Sequence, residues 1–305
     1  MINELRLSHY FWNTLMSIKL KHAKLENINS LLESQEKMVR GLRPGTEKKV
    51  SWAQGNGIKS KTSIVFIHGF SASRVEIDPV VDLIAVELSA NVYFTRLRGH
   101  GQDGRALAEA TYEHFLDDTT EAIKIGKLIG DDVVLIGCST GCSLIHIALG
   151  QNHNIKAAIY ISPNFGPKPI KGQALRIPGA KFLVPLVFGK EHSFVAKNDE
   201  YVTCWTTRYP TKALFSIKTT VLAAHQVDHQ TIKTPILMWF SDEDKVVNAK
   251  WTRKIASMMA DNVTLHNPSL TDQDDPSHHG IIGDILSPSQ TTIAVSKITN
   301  WLVQI

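Results

Sequence analysis

The sequence predicts an α/β fold, in which a mostly parallel sheet has helices on both faces and one segment is inserted. Short apolar runs, as at residues 64–67, are typical of strands buried on both faces. Runs with helical periodicity lie between them, and this alternation predicts a parallel sheet. The alternation breaks from Pro163 to about Thr234, where prolines are frequent, and then resumes. The break indicates an inserted segment.

The pattern of residues 1–40 predicts a helix before this core. Phe11, Leu15 and Ile18 fall on one helical face, and lysines lie elsewhere around the helix. A helix of this kind is typical of one that packs on its own domain or on a partner subunit. The alternative is a basic amphipathic helix that makes a peripheral contact with a membrane surface. Glycines and a proline then end a helical extension of residues 1–45.

The elements of the predicted core follow in chain order. Strands are expected at residues 64–67, 92–94, 133–136, 157–161, 236–240 and 263–265. Helices are expected at residues 79–88, 115–129, 144–149, 212–225, 248–259 and 291–302. The predicted core is therefore residues 46–162 and 234–305, with a cap inserted at residues 163–233.

Composition and charge narrow the class of protein. A chain of 305 residues can bury a large core without disulfides or metals. Its net charge is +4 and its basic residues are not clustered with aromatics, so we expect no nucleic-acid partner. Three cysteines without a CxxC pair favour a reducing compartment, which predicts a cytoplasmic location. The apolar run at residues 10–18 is too short to span a bilayer.

The stretch GCSTG at residues 137–141 is the strongest chemical signal in the sequence. It lies between a predicted strand and a predicted helix, the setting in which a nucleophilic serine stands at the tip of a sharp turn. Such a turn crowds the backbone two residues before and after the serine, and glycines occupy both positions. Ser139 is therefore the predicted nucleophile.

A nucleophilic serine needs a neighbouring base, which a third group orients. In this setting the acid follows the serine in the chain and the base follows the acid. The loop SDEDKVV at residues 241–247 comes directly after a predicted strand and offers three carboxylates. Asp244 is preferred, because the two valines after it would anchor the loop and hold the carboxylate inward. Asp242 is the alternative.

The base is expected after the last short strand, in the tract DPSHHGII at residues 275–282. Neighbouring loop residues usually point in different directions, so only one of its two histidines can meet Ser139. His279 is preferred, because it directly precedes an apolar run that should pack and fix it. His278 is the alternative.

Acyl transfer develops negative charge on a carbonyl oxygen, which backbone N–H groups can stabilise. One expected donor is Thr140, the residue after the nucleophile, at a helix N-terminus. The other is expected in the loop after an early strand, where the sequence HGF places Phe70. Gly69 would let the backbone approach a substrate closely.

With these motifs in place, the chain resembles the α/β-hydrolase superfamily over residues 48–305. The closest likeness is to the branch of monoacylglycerol lipases and bacterial carboxylesterases. The matching residues are HGF at 68–70, RGHG at 98–101, GCSTG at 137–141, DKVV at 244–247, and His279 with Gly283-Asp284 beyond it. In that branch an aspartate before a short apolar pair is the acid and a histidine before an apolar stretch is the base. The resemblance thus favours Asp244 and His279, and it implies a modest cap.

The expected function is hydrolysis of a carboxylic ester through an acyl-enzyme, without a metal or organic cofactor. The substrate is expected to be a small molecule with an apolar acyl group, because the predicted cap contains many apolar residues. A thioesterase or an acyltransferase on the same scaffold is an alternative, since the same catalytic groups serve each. A non-catalytic binding protein with this fold is another.

Overall fold

The computed structural model describes residues 24–151, 153–168 and 189–305. The strands are β1 (Lys49–Ser51), β2 (Ser60–Ile67), β3 (Asn91–Phe94), β4 (Gly130–Cys138), β5 (Ala157–Ile161), β6 (Glu191–Ser193), β7 (Arg208–Pro210), β8 (Ile236–Trp239) and β9 (Val263–His266). β6 and β7 pair antiparallel with each other, and the other strands form one seven-stranded sheet.

The order of strands across the main sheet is β1-β3-β2-β4-β5-β8-β9. β1 is antiparallel to β3, and every other neighbouring pair in this sheet is parallel. The predicted α/β class with a mostly parallel sheet is therefore confirmed. The sequence pattern misses β1, because this three-residue edge strand buries only Val50.

Helices cover both faces of the sheet. They are α1 (Ile28–Glu36), α2 (Val80–Leu88), α3 (Gly104–Glu109), α4 (Tyr112–Ile129), α5 (Thr140–Gly150), α6 (Asp199–Cys204), α7 (Leu214–Gln226), α8 (Ala249–Met258) and α9 (Thr291–Val303). Neighbouring strand residues point to opposite faces: Val65 packs in the core with α4 and α5, and Ile64 in the core with α2 and α9. Each fully buried side chain of this size contributes about 1.5–3 kcal/mol to folding.

A buried ion pair joins the N-terminal segment to the core. Glu36, the last residue of α1, accepts two hydrogen bonds from the Arg96 guanidinium, with N···O distances of 2.6 and 2.8 Å. It also accepts the Lys48 N–H at 3.0 Å. Burial alone would raise the pKa of Glu36, but the hydrogen bond and charge of Arg96 outweigh burial and lower it.

α1 ends at Glu36, whereas the sequence predicts helix as far as residue 40. Beyond Glu36 the N–H groups of Met38 and Val39 bond to carbonyls three residues back, so the chain forms turns there and does not continue as an α-helix. The predicted apolar face at Phe11, Leu15 and Ile18 lies outside the described residues, so contact with a membrane stays a prediction. Within the described ranges, no helix has the length and apolar character needed to cross a bilayer.

Arg43 links this N-terminal segment to the inserted one. Its guanidinium donates hydrogen bonds to the Gln102 carbonyl at 2.6 Å and to the Thr203 carbonyl at 3.2 Å. It also donates to the Thr206 hydroxyl at 3.2 Å. The described part of residues 1–45 is therefore integrated with the rest of the molecule.

The segment predicted to be inserted, residues 163–233, contains the antiparallel pair β6–β7, with α6 between the two strands, and α7. α7 packs against α5 and α4, so it lies over the same face of the sheet as those core helices. Residues 169–188, which include the apolar run at 182–188, lie outside the described residues. The division of the chain into a core and a cap at residues 163–233 stays a prediction.

We predict that Glu36→Ala lowers the free energy of unfolding by about 3–5 kcal/mol, because it leaves the Arg96 charge buried without its partner. The measurement is urea unfolding at pH 7. The matched control is Glu191→Ala, which removes the exposed ion pair with Arg208. That control should cost less than about 1 kcal/mol. Equal effects of the two changes would contradict the prediction.

Candidate active site

Ser139 stands between the end of β4 and the start of α5, in a strained backbone conformation. Its φ is 51° and its ψ is −112°, in a region that residues with a side chain rarely adopt. Its N–H donates to the Ile161 carbonyl at 2.9 Å. Its own carbonyl accepts from the N–H groups of Cys142 and Asn164, each at 3.1 Å. These bonds hold the turn and leave the side chain free to point outward.

Glycine is needed at both ends of GCSTG, because a side chain at either position would clash with its neighbours. A Cβ on Gly137 would lie 2.7 Å from Cδ1 of Ile145 and 2.8 Å from the Cys142 nitrogen. A Cβ on Gly141 would overlap the carbonyl oxygen of Ile67, at the end of β2. The turn thus packs directly against the neighbouring strand, as the motif predicts.

A chain of hydrogen bonds connects Ser139, His279 and Asp244. The distance from Nε2 of His279 to Oγ of Ser139 is 3.1 Å. The distance from Nδ1 of His279 to Oδ2 of Asp244 is 2.7 Å. A carboxylate oxygen can only accept a hydrogen bond, so Nδ1 of His279 donates to Asp244. Nε2 is then left as the acceptor for the hydroxyl of Ser139.

Asp244 is held inward by the backbone that follows it. Its Oδ1 accepts the N–H groups of Val246 at 2.7 Å and Val247 at 2.9 Å, and its side chain is 1% exposed. Val247 is itself buried. This is the anchoring that the sequence suggests for the two valines.

The pKa of His279 is raised above its ordinary value. Burial by itself would lower it, because burial disfavours the charged imidazolium. The negative charge of Asp244 and its hydrogen bond outweigh this effect, and Asp275 and Glu76 add to it. An imidazole that readily accepts a proton while held by a carboxylate is suited to act as a general base.

The two alternatives from the sequence have other contacts. Nδ1 of His278 lies 3.7 Å from Oε2 of Glu243 and 3.4 Å from the Ser241 hydroxyl. Asp242 accepts two hydrogen bonds from Arg253, at 2.7 and 2.5 Å. The structure therefore brings His279 and Asp244 to Ser139, and it does not bring His278 or Asp242 there.

The loops that carry Asp244 and His279 are tied to each other. Lys245 donates its N–H to the Ser277 carbonyl at 2.8 Å and its ammonium to the Pro276 carbonyl at 2.7 Å. The Ser162 hydroxyl donates to the carbonyl of His279 at 2.6 Å. These bonds fix the distance between the two loops, and therefore the distance between their side chains.

Asp275 organises the loop around His279, a role that the sequence did not indicate. Its carboxylate accepts the Ser277 N–H at 2.9 Å, the Gly280 N–H at 2.7 Å and the His279 N–H at 3.3 Å. It also forms an ion pair with Lys197, in the segment between β6 and α6. Burial would raise the pKa of Asp275, but these donors, Lys197 first, hold it well below its usual range.

The turn predicted to supply a second backbone donor lies beside Ser139. A Cβ on Gly69 would be 3.3 Å from Cβ of Ser139, so a larger residue would press on the Ser139 side chain. The Phe70 N–H follows in the same turn. Thr140 is the first residue of α5, so its N–H is one of those left without a partner inside the helix. Both predicted donors therefore belong to segments that adjoin Ser139.

His68 links this turn to the segment after β3. Its Nε2 accepts the Leu97 N–H at 3.1 Å, so the proton is on Nδ1, which donates to the Gly69 carbonyl at 2.9 Å. Burial lowers the pKa of His68 to about 4. The imidazole is therefore neutral at pH 7 and acts as a spacer between two backbone segments.

Metal-binding clusters and disulfides are the other kinds of site that histidine, cysteine, aspartate and glutamate side chains can form. In residues 24–151, 153–168 and 189–305, no group of three or more histidine, cysteine, aspartate or glutamate side chains is arranged to hold a metal ion. The three cysteines are buried and unpaired.

The model of the alpha/beta hydrolase family matches residues 64–279. No curated protein sequence matches the chain. The family match confirms the superfamily predicted from the motifs, and the mostly parallel sheet agrees with its fold.

Several solved structures are similar in fold. One is of a lipolytic enzyme from the metagenome-derived pair LipS and LipT, with 18% identity and a TM-score of 0.71 over 87% of this chain and 100% of that one. A second is the monoacylglycerol lipase of Paleococcus ferrophilus, with 16% identity and a TM-score of 0.63 over 84% and 98%. A third is a soluble variant of the monoglyceride lipase of Saccharomyces cerevisiae, with 12% identity and a TM-score of 0.61 over 85% and 91%.

We predict that Asp275→Asn lowers the free energy of unfolding by about 2–4 kcal/mol at pH 7, because an amide nitrogen would face backbone donors and Lys197 would lose its partner. Urea unfolding measures the effect. The control is Asp272→Asn, in the same loop but exposed.

The stabilisation that Asp275 provides should depend on pH in a definite direction. Folding lowers the pKa of this carboxyl, so its contribution is complete above the unfolded value of about 3.9 and is lost as the pH falls below it. The difference in stability between wild type and Asp275→Asn should therefore shrink in acid. A difference that grows in acid would contradict the assignment.

Proposed function

Because this chain belongs to the alpha/beta hydrolase family, we propose that it is a serine hydrolase that cleaves carboxylic esters through an acyl-enzyme. The observation that carries the proposal is the hydrogen-bonded chain Ser139–His279–Asp244 beside the Gly69–Phe70 turn. Each of these groups has a role in acyl transfer.

In the first half-reaction, Oγ of Ser139 attacks the carbonyl carbon of the ester while its proton passes to Nε2 of His279. Asp244 keeps Nδ1 protonated and stabilises the imidazolium that forms. The N–H groups of Phe70 and Thr140 hold the negative oxygen of the tetrahedral intermediate. The bond to the alcohol oxygen then breaks, His279 gives the proton to the leaving alcohol, and the acyl group stays on Ser139.

In the second half-reaction, water attacks the acyl-enzyme. His279 takes a proton from the water, and a second tetrahedral intermediate forms in the same oxyanion site. When it collapses, the bond from the acyl carbon to Oγ breaks and His279 returns the proton to Ser139. The products are a carboxylic acid and the original enzyme, so no metal or organic cofactor takes part in the proposed cycle.

An apolar acyl group is the substrate class that we propose. The ring of Phe70 lies edge-on to Tyr209 of β7, with centroids 5.5 Å apart, and Tyr209 packs near Phe194. These packed aromatic rings make the surroundings of the proposed oxyanion donor apolar. The names of the similar structures, which include lipases and a monoacylglycerol lipase, point to the same class. A cytoplasmic location and a membrane contact through residues 1–40 stay predictions.

We predict that Ser139→Ala lowers ester turnover by about 10⁴-fold or more while leaving the fold intact, since the nucleophile is lost and the packing is kept. His279→Ala should have a comparable effect, whereas His278→Ala should retain most of the activity. Hydrolysis of p-nitrophenyl esters measures each rate, and circular dichroism checks the fold. A larger loss in His278→Ala than in His279→Ala would overturn the choice of base.

For the acid, we predict that Asp244→Asn lowers kcat by about 10³–10⁴-fold, because an amide no longer orients or charge-stabilises the imidazole. The matched change Asp242→Asn affects an exposed ion pair with Arg253 and a hydrogen bond from Asn267, and it should change kcat little.

In the wild type, kcat/KM should rise with pH through a pKa above the ordinary histidine value of about 6.5. In Asp244→Asn this acidic limb should move to lower pH. If it stays in place, another group raises the pKa of His279.

Labelling with a fluorophosphonate probe tests whether the site is catalytic. An adduct on wild type that is absent in Ser139→Ala is expected for a hydrolase. A folded protein that is not labelled would favour a binding protein.

For a labelled enzyme, the rates of hydrolysis of matched oxygen and thiol esters separate an esterase from a thioesterase. Esters of graded chain length define the preferred acyl group.

A further inference from the structure

Glu76 is a buried carboxylate that stands outside the chain Ser139–His279–Asp244. It lies in the loop between β2 and α2 and is 5% exposed. Its Oε1 accepts the Gly69 N–H at 2.5 Å. The peptide that follows in this turn is the one that carries the proposed oxyanion donor of Phe70. Glu76 therefore contacts the proposed oxyanion site one peptide away from its donor.

The same carboxylate also reaches the strand that carries the nucleophile. A Cβ on Gly69 would lie 3.1 Å from Oε2 of Glu76 and 3.3 Å from Cβ of Ser139, so Gly69 is enclosed between the two side chains. The Cβ position of Gly69 also lies 3.5 Å from the carbonyl oxygen of Cys138, the residue before Ser139. Glu76 thus bonds to the Gly69 turn at the place where this turn packs against the end of β4, and the relative position of these two segments defines an oxyanion hole.

The charge of Glu76 acts on the base as well. Burial raises the pKa of Glu76 to about 7, against the effect of the Gly69 N–H and the Cys138 thiol. The titratable groups that face the carboxylate are His279, Cys138, Cys142, Cys204 and Tyr201. Of these, only His279 gains a positive charge, and the anion of Glu76 favours that charged form.

We propose that Glu76 is a positioning residue of this site, which holds the Gly69–Phe70 turn in register with Ser139 and stabilises the imidazolium of His279. The proposal rests on the proposed ester hydrolysis. The two actions are separable, because the first needs an acceptor oxygen and the second needs a negative charge. Glutamine at this position keeps an acceptor and removes the charge, and alanine removes both.

The first arm compares pH profiles of kcat/KM for wild type and Glu76→Gln on a p-nitrophenyl ester. Loss of the anion should lower the pKa of His279, so the acidic limb should move to lower pH. At pH 8, kcat of Glu76→Gln should stay close to wild type, since Gly69 keeps its acceptor. A limb that does not move overturns the electrostatic role, because a residue with a merely structural role would not shift it.

The second arm measures kcat and KM of Glu76→Ala. A misplaced donor weakens binding of the transition state more than of the substrate, so kcat should fall by about 10–100-fold while KM changes little. Glu87→Ala and Glu87→Gln are the matched controls, because Glu87 is exposed on the neighbouring helix α2 and should give wild-type values. Unchanged kcat in folded Glu76→Ala overturns the positioning role.

Two further measurements keep the outcomes distinct. If Glu76→Ala does not fold, as judged by circular dichroism, Glu76→Met takes its place, because methionine keeps the length of the side chain and removes the acceptor oxygens. A fall in kcat of folded Glu76→Met then supports the positioning role, and an unchanged kcat overturns it. Fluorophosphonate labelling of wild type and Ser139→Ala is run in parallel. Absent Ser139-dependent turnover in wild type defeats the proposed function, whereas normal wild-type turnover with inert Glu76 variants defeats only this inference.

Discussion

The backbone of Ser139 has a positive φ, and the rest of the candidate site is arranged around that turn. A non-glycine residue in such a region stores strain of about 1–3 kcal/mol, which only a rigid surrounding structure can hold. Here the central strand β4 and the helix α5 enclose the turn, and its N–H and carbonyl are bonded to segments from the neighbouring strand β5. The sheet therefore serves as the support that keeps one hydroxyl exposed at its carboxyl edge.

Three buried carboxyl groups act on His279. Asp244 bonds to its ring and Asp275 bonds to its backbone N–H, whereas Glu76 bonds to the Gly69 turn and favours the charged ring when it is ionised. Each carboxylate is buried, yet each accepts backbone N–H groups, so none is left without partners. Their combined field favours a protonated ring, which is the state that attack by Ser139 would create.

Much of this arrangement follows from local sequence patterns. Four-residue apolar runs predict the central strands, and the spacing in GCSTG predicts the turn, because both depend on neighbouring residues. The choice between Asp244 and Asp242 depends on the two valines, which are also local. Glu76 and Asp275 could not be found this way, since their partners are N–H groups and a lysine that the fold brings from other segments. The edge strand β1 and the antiparallel pair β6–β7 are too short to show a periodicity.

The ion pair between Lys197 and Asp275 joins residues 163–233, the predicted cap, to the loop of His279. A segment that supplies the counter-charge for this loop is not structurally independent of it. In recombination between members of this fold, exchanging residues 163–233 without the matching lysine would leave Asp275 buried without its cationic partner. A chimera would therefore need crossover points that keep both partners of this pair from one parent, and the exchanged segment and the geometry of the His279 loop would be inherited together.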